Sequence, residues 1–152
     1  MAMVSVVLVT YESAEDLAAC LATLPAAAGP HDLEVVVVDN ASRDASAEIA
    51  RRLGVKVLEN PANLGLSRAI DIGAAATDAP WLLLVNPDTR LAPGALDHML
   101  ATAAADPTIG CVGPHLRNSD GSEYPTGRRF PSIVVGAVHA AIGRGAMAGA
   151  RP

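Results

Sequence analysis

The chain has 152 residues, enough for one ordinary domain to bury a core without staples. Its apolar share is 51%, much of it alanine and valine, while only 3% is aromatic, which does not suit a nucleic-acid binder with stacking platforms. A formal net charge of -5 argues against general affinity for a polyanion, and the adjacent pairs Arg51-Arg52 and Arg128-Arg129 make no basic run.

Residues 4–9 are a continuous β-branched run, the pattern of a strand buried on both faces. The preceding start lacks a basic n-region and meets Glu12 early, so it reads as a first strand and not as a signal peptide. Ser13 opens a helix with Asp16 completing a capping box; Leu17, Leu21 and Leu24 follow at helical spacing, and Pro25 with Gly29-Pro30 closes it. A second buried run over 33–38 ends abruptly at Asp39-Asn40. Asp44 caps a helix that continues to Leu53 and stops at Gly54. Residues 55–58 form a short third strand, 67–76 a helix, and 81–85 a fourth buried strand broken by Asn86-Pro87. Trp81 is a core or rim anchor at its start. Residues 94–105 are helical and 109–112 form another strand. Beyond Pro114 the pattern weakens: 118–121 is a turn, and 133–150 is rich in alanine and glycine.

Strands alternating with helices, the strands unbroken and apolar, predict an α/β fold: a three-layer sandwich whose mostly parallel sheet is covered on both faces. Cys20 and Cys111 sit in apolar stretches without C-x-x-C spacing and read as buried small hydrophobes. His31, His98, His115 and His139 share no metal-ligand spacing. No stretch of about 18 apolar residues is present to span a bilayer. The sequon Asn40-Ala41-Ser42 reads as chance.

Ligands of open parallel sheets bind beyond the carboxyl ends of the strands. Four such ends carry polar residues: Thr10-Tyr11-Glu12, Asp39-Asn40-Ala41-Ser42, the stretch 60–65, and Asn86-Pro87-Asp88-Thr89. Turn chemistry alone accounts for any one of these loops; four together on one edge point to a site. G-x-G-x-x-G, the P-loop and G-x-S-x-G are all absent from the chain. Two acidic strand ends remain. Asp39 can accept a hydrogen bond from a base imide or a ribose hydroxyl, and Asp88, in a turn fixed by Pro87, can hold Mg²⁺ or Mn²⁺ by a single carboxylate. Arg68 can reach a phosphate from the first turn of its helix, or stand as a solvated residue paired with Asp71.

Val4-Ser5-Val6-Val7-Leu8-Val9-Thr10-Tyr11, Val38-Asp39-Asn40-Ala41-Ser42, Asn60-Pro61-x-Asn63-Leu64-Gly65 and Leu84-Val85-Asn86-Pro87-Asp88-Thr89 resemble successive motifs of the family 2 glycosyltransferases, in order and spacing. The rhamnosyltransferase-like members are the nearest in look, and Arg128-Arg129-Phe130-Pro131 resembles a segment after their core. The resemblance spans about the first 130 residues. It implies a GT-A fold with a nucleotide-sugar-binding domain over 1–130, an alanine- and glycine-rich tail over 131–152, and the C-terminal acceptor half missing.

Carried over by position, the resemblance implies that Thr10 and Glu12 line the nucleotide pocket and that Asp39 contacts the base, with Asn40 and Ser42 shaping its loop. Asn63 and Gly65 would border the ribose and diphosphate. Asp88 would be the metal ligand, with Asn86 in place of the first acid of the family motif. Glu12 stands where the family often has Asn, Ile70 replaces a polar residue, and Leu66 replaces an aromatic. The implied activity is inverting transfer of a sugar from a TDP- or UDP-sugar, TDP-rhamnose included, to a glycan or lipid-linked acceptor at the cell surface. Mg²⁺ or Mn²⁺ would serve as cofactor, in the cytoplasm or at the inner face of the membrane. No catalytic base is evident, since Asp120 and Glu123 read as parts of a turn. The alternative is a non-catalytic nucleotide-binding or interaction module that keeps the fold. A sandwich lacking its second half is also expected to expose apolar surface and to self-associate.

Overall fold

The computed structural model describes residues 1–125. The 128–131 segment and the tail over 131–152 lie outside the described residues. The chain divides into two compact units, Met1–Val112 and a second that begins at Gly113.

The first unit runs β1 (Met3–Thr10), α1 (Ala14–Ala28), β2 (Asp32–Asp39), α2 (Ser46–Arg52), β3 (Lys56–Glu59), α3 (Leu66–Ala74), β4 (Trp81–Val85) and α4 (Ala95–Ala104). Its four strands pair in parallel in the order β3-β2-β1-β4. The side-chain alternation of β1 explains the layering. Val4, Val6 and Leu8 face one side, where they pack with Leu17, Cys20, Leu21 and Leu24 of α1, Ala50 of α2 and Leu96 of α4. Val7 faces the other side with Val36 and Val38, under Ala69 and Ile72 of α3. The result is a three-layer α/β sandwich with α1, α2 and α4 below the sheet and α3 above it.

Strand order reverses between β1 and β4, because β2 and β3 are added on one side of β1 and β4 on the other. In open parallel sheets, that reversal leaves a crevice outside the carboxyl ends of the strands. Here it lies between the ends that carry Thr10 and Asn86.

Several expectations need correction. Residues 109–112 form no strand and pair with none among the described residues, and Cys111 is exposed, not buried. The fourth strand is not buried on both faces: Leu82 and Leu84 are 47% and 49% exposed while Val85 is buried. They lie on the face that carries α3, but that helix sits over β1 and β2. Helix α1 continues past Pro25 to Ala28. Burial of Ala27 and Ala28 favours the extra turn, and its carbonyls find outside donors, Ala26 from the Gly94 N–H and Ala28 from the His31 N–H. The Ser13–Asp16 capping box does not form; the Ser13 hydroxyl donates to the Tyr11 carbonyl, and Asp16 pairs with Arg90.

Among the described residues of the second unit, β5 (Leu116–Arg117) and β6 (Glu123–Tyr124) form a small antiparallel hairpin. The expected turn over 118–121 joins them, with Gly121 in the left-handed region at φ +84.

Candidate functional site

The parallel register sets Thr10 beside Asp39, so the ends of β1 and β2 bring a hydroxyl and a carboxylate together. Thr10 Oγ1 donates to Asp39 Oδ1 at 3.1 Å, and the Ser42 N–H donates to Asp39 Oδ2 at 3.0 Å. Both side chains are buried. Asp39 therefore holds the β2–α2 loop, in which Ala41 takes the left-handed conformation at φ +65. Each of its oxygens keeps a second lone pair for another donor.

A second set of bonds ties that loop to the β1–α1 loop. Glu12 has φ +55, an uncommon conformation for a residue with a long side chain. Its N–H donates to Ser42 Oγ at 3.1 Å and its Oε1 accepts the Arg43 N–H at 3.1 Å. Ser13 N–H donates to Ser46 Oγ, and Ala14 N–H to Asp44 Oδ2, both at 2.9 Å. The N–H groups of the N-cap Ser13 and of Ala14, the first residue of α1, are thus satisfied from across the sheet edge instead of by the Ser13 side chain. Desolvation alone would raise the Asp44 pKa, but the Ser46 hydroxyl and the backbone N–H groups of Ala14 and Ser46 outweigh it and hold the carboxyl below its ordinary 3.8.

Asn40 and Asn63 meet directly, Asn40 Nδ2 donating to Asn63 Oδ1 at 2.8 Å. Asn60 joins them by donating from Nδ2 to Asn40 Oδ1 at 3.0 Å. The sequence marks Asn60 only as part of its motif, and an Asn closing a short strand is the signal it carries. Gly65 follows at φ +81 and starts α3 with no side-chain cap. Arg68 is exposed in the first turn of α3, and no ion pair with Asp71 forms among the described residues.

On the other side of the reversal, Asn86 and Asp88 are exposed in the turn after β4. The turn is seated from below. The Asn86 carbonyl accepts a weak bond from the buried Cys20 thiol at 3.5 Å, and Arg90 pairs with Asp16 at 2.8 Å. Burial pushes the Cys20 thiol up, so it stands neutral beneath the turn. The Asp88 carboxylate accepts no hydrogen bond from the described residues. No group of three His, Cys, Asp or Glu side chains able to enclose a metal occurs among those residues. A single free carboxylate does fit Mg²⁺ or Mn²⁺ if phosphate oxygens and water complete the shell, as these ions commonly require. Two apolar clefts elsewhere, one beside Trp81 and Met99 and one beside Leu21 and Val55, hold no titratable side chain except Cys111.

The geometry defines an open α/β domain of the GT-A type, with its polar edge at the reversal of strand order. The chain belongs to the glycosyl transferase family 2, whose model matches residues 5–146. It is 36% identical over 151 residues to the N-acetylglucosaminyl-diphospho-decaprenol L-rhamnosyltransferase of Mycobacterium tuberculosis (strain ATCC 25618 / H37Rv), covering 91% of this chain and 49% of that protein. It is 30% identical over 132 residues to an uncharacterized glycosyltransferase of Mycobacterium bovis, covering 87% and 57%. The chain thus spans about half the length of these relatives. Among solved structures, it resembles a mannosyltransferase from Pyrobaculum calidifontis in complex with GDP-Man and Mn²⁺, with TM-score 0.61 and 29% identity over 70% of this chain and 33% of that one. Staphylococcus aureus TarS shares the fold, with TM-score 0.58 and 23% identity over 69% and 33%.

Proposed function

We propose that the chain is the donor-binding portion of an inverting glycosyltransferase that takes its sugar from a TDP- or UDP-sugar, TDP-rhamnose in the first instance. The observation that carries this reading is the placement, at the carboxyl ends of strands on either side of the reversal of strand order, of the buried Thr10–Asp39 couple and of the Asp88 carboxylate, which accepts no hydrogen bond among the described residues. Asp39 and Thr10 receive the base and ribose, Glu12 and Asn40 shape that end of the pocket, and Asn63, Gly65 and Arg68 border the diphosphate. Asn86 and Asp88 face the sugar end. The L-rhamnosyl transfer in the name of the M. tuberculosis relative supports the choice of sugar, and the decaprenol diphosphate in that name supports a lipid-linked glycan acceptor.

In this reading an acceptor oxygen attacks the anomeric carbon in line as the bond to the diphosphate breaks, and a general base takes the acceptor proton. A divalent cation held by Asp88 would supply positive charge for the leaving diphosphate. Asp120 does not suit the role of base, because the Ser122 hydroxyl and N–H hold its carboxyl below the ordinary range. No helix among the described residues is long and apolar enough to cross a membrane. A lipid-linked acceptor would be met by peripheral attachment at the cytoplasmic face. The exposed Leu82 and Leu84 support self-association of the isolated chain through the bare side of β4.

Thermal unfolding with UDP, TDP, GDP and ADP, each with and without Mn²⁺, tests the reading. Ligand at 100 times its dissociation constant should raise the midpoint by roughly 5–10 °C. TDP or UDP should produce that rise only with Mn²⁺, and Asp88→Ala should abolish it while leaving the ligand-free midpoint unchanged, since no described group depends on that carboxylate. Asp39→Ala should lower both. No shift with any nucleotide would favour a non-catalytic module that keeps the fold.

A further inference from the structure

Three side-chain amides at the polar edge form one directed chain. Asn40 Oδ1 accepts from Asn60 Nδ2 and from the Leu64 N–H, each at 3.0 Å. Asn40 Nδ2 donates to Asn63 Oδ1, which also accepts the Gly65 N–H at 3.0 Å. The two backbone N–H donors fix which end of each amide is oxygen, so neither Asn40 nor Asn63 can be flipped without opposing donor to donor. Each of these oxygens has two lone pairs, and both are filled. Asn40 and Asn60 are 3% and 9% exposed. They are rooted in the sheet as well, the Asn40 N–H donating to the Thr10 carbonyl and the Asn60 N–H to the Asp39 carbonyl, both at 2.8 Å. Asn63 differs from them: it is exposed, and its Nδ2 has no partner among the described residues, so it offers donors and no acceptor.

We propose that Asn40 and Asn60 are positioning residues that do not touch the donor. Together they hold Asn63, Gly65 and the first turn of α3 at a set distance from Asp39, so that one nucleoside diphosphate meets both loops at once. Asn63 is the member of the chain that faces the diphosphate, as a donor to its oxygens. The inference rests on the donor-binding reading above. It also accounts for the residue type, because an ionised Asp at 40 or 60 would lack the N–H that each of these positions donates.

The test uses the full chain with Mn²⁺ and compares dissociation constants for TDP and TMP by calorimetry, with UDP and UMP in parallel. Asn60→Asp keeps the shape of the side chain but sets an acceptor against Asn40 Oδ1. The preference of the wild type for diphosphate over monophosphate should shrink about tenfold, while monophosphate affinity changes less than about twofold. Asn63→Asp keeps both acceptor functions and therefore the chain of amides; it should lower diphosphate affinity with no loss of thermal stability. If Asn60→Asp does not melt cooperatively, Asn60→Ser replaces it, with the same expected change. An unchanged preference, or equal losses for both nucleotides, would overturn the proposal. Failure of the wild type to bind any of the four nucleotides would instead overturn the donor-binding reading, and would be evident before any variant is made.

Discussion

β1 and β4 are hydrogen-bonded neighbours, and both are short, apolar and free of charge, yet they occupy different environments. In β1, Val4, Val6, Val7 and Leu8 are all at most 1% exposed, because helices cover it from both sides. In β4, only Leu83 and Val85 pack inward, toward α1 and α4, while Leu82 and Leu84 stand half in solvent on the face α3 does not reach. Local composition thus reports that a segment is a strand. Whether both its faces are covered depends on where later elements land, which no window of a few residues contains.

Leucine to alanine at one position in each strand measures the difference. Leu8→Ala removes a fully buried side chain from the larger cluster and should cost about 2–5 kcal/mol. Leu84→Ala removes one already half exposed and should cost under about 1 kcal/mol. Denaturant midpoints at constant m-value give both numbers. Equal losses would mean that the bare side of β4 is covered in solution, by a second copy or otherwise, and dilution would then separate those cases.

The α3 side of the comparison turns on Gly73. A Cβ there would stand 2.5 Å from Val7 Cγ1 and 2.9 Å from Val38 Cγ2, so glycine lets α3 lie close over β1 and β2. Gly73→Ala gains about 1 kcal/mol of helix propensity. Overpacking against two buried valines in a rigid sheet costs about 1–3 kcal/mol. The second effect should win, leaving the variant about 1 kcal/mol less stable by the same titration. A more stable variant would show that α3 can rise from the sheet without loss.

Much of this was legible in the chain. The valine runs marked β1 and β2, and Asp39, Asn40, Asn63 and Asp88 were placed on one edge because polar turns follow apolar strands. The parallel three-layer arrangement followed from the alternation of elements. What escaped depended on partners distant in sequence. Ser13 and Asp16 have the spacing of a capping box, but Ser46 and Asp44, some thirty residues on, offer better-placed acceptors to the same helix end. Residues 109–112 have the composition of a strand and no neighbour to pair with among the described residues. The resemblance places Glu12 on the pocket where the family often has Asn, but its left-handed backbone has no signature in a single sequence.

The ends of the two strands contrast as their middles do. The turn after β4 leaves Asp88 without a hydrogen-bond partner among the described residues, whereas the loops after β1 and β2 spend their side chains on each other, with Asp44 accepting from Ala14 and Ser46. That use of Asp44 has a sign in pH. Its folded pKa lies below 3.8, so as pH falls the unfolded chain takes up the proton first. The stabilisation is complete above the ordinary value and is lost as pH drops through the lowered one. Asp106 and Asp120 are held down in the same direction by Thr108 and Ser122, so the wild type should lose stability on the acid side from all three. Asp44→Asn keeps an acceptor for Ala14 but removes the charge. It should melt slightly lower at neutral pH and show a shallower decline between about pH 5 and pH 2. A slope identical to the wild type would mean that the tie between the two loops does not depend on the charge of Asp44, and that the Ser46 hydroxyl and the Thr10–Asp39 couple suffice to hold the ends of β1 and β2 together.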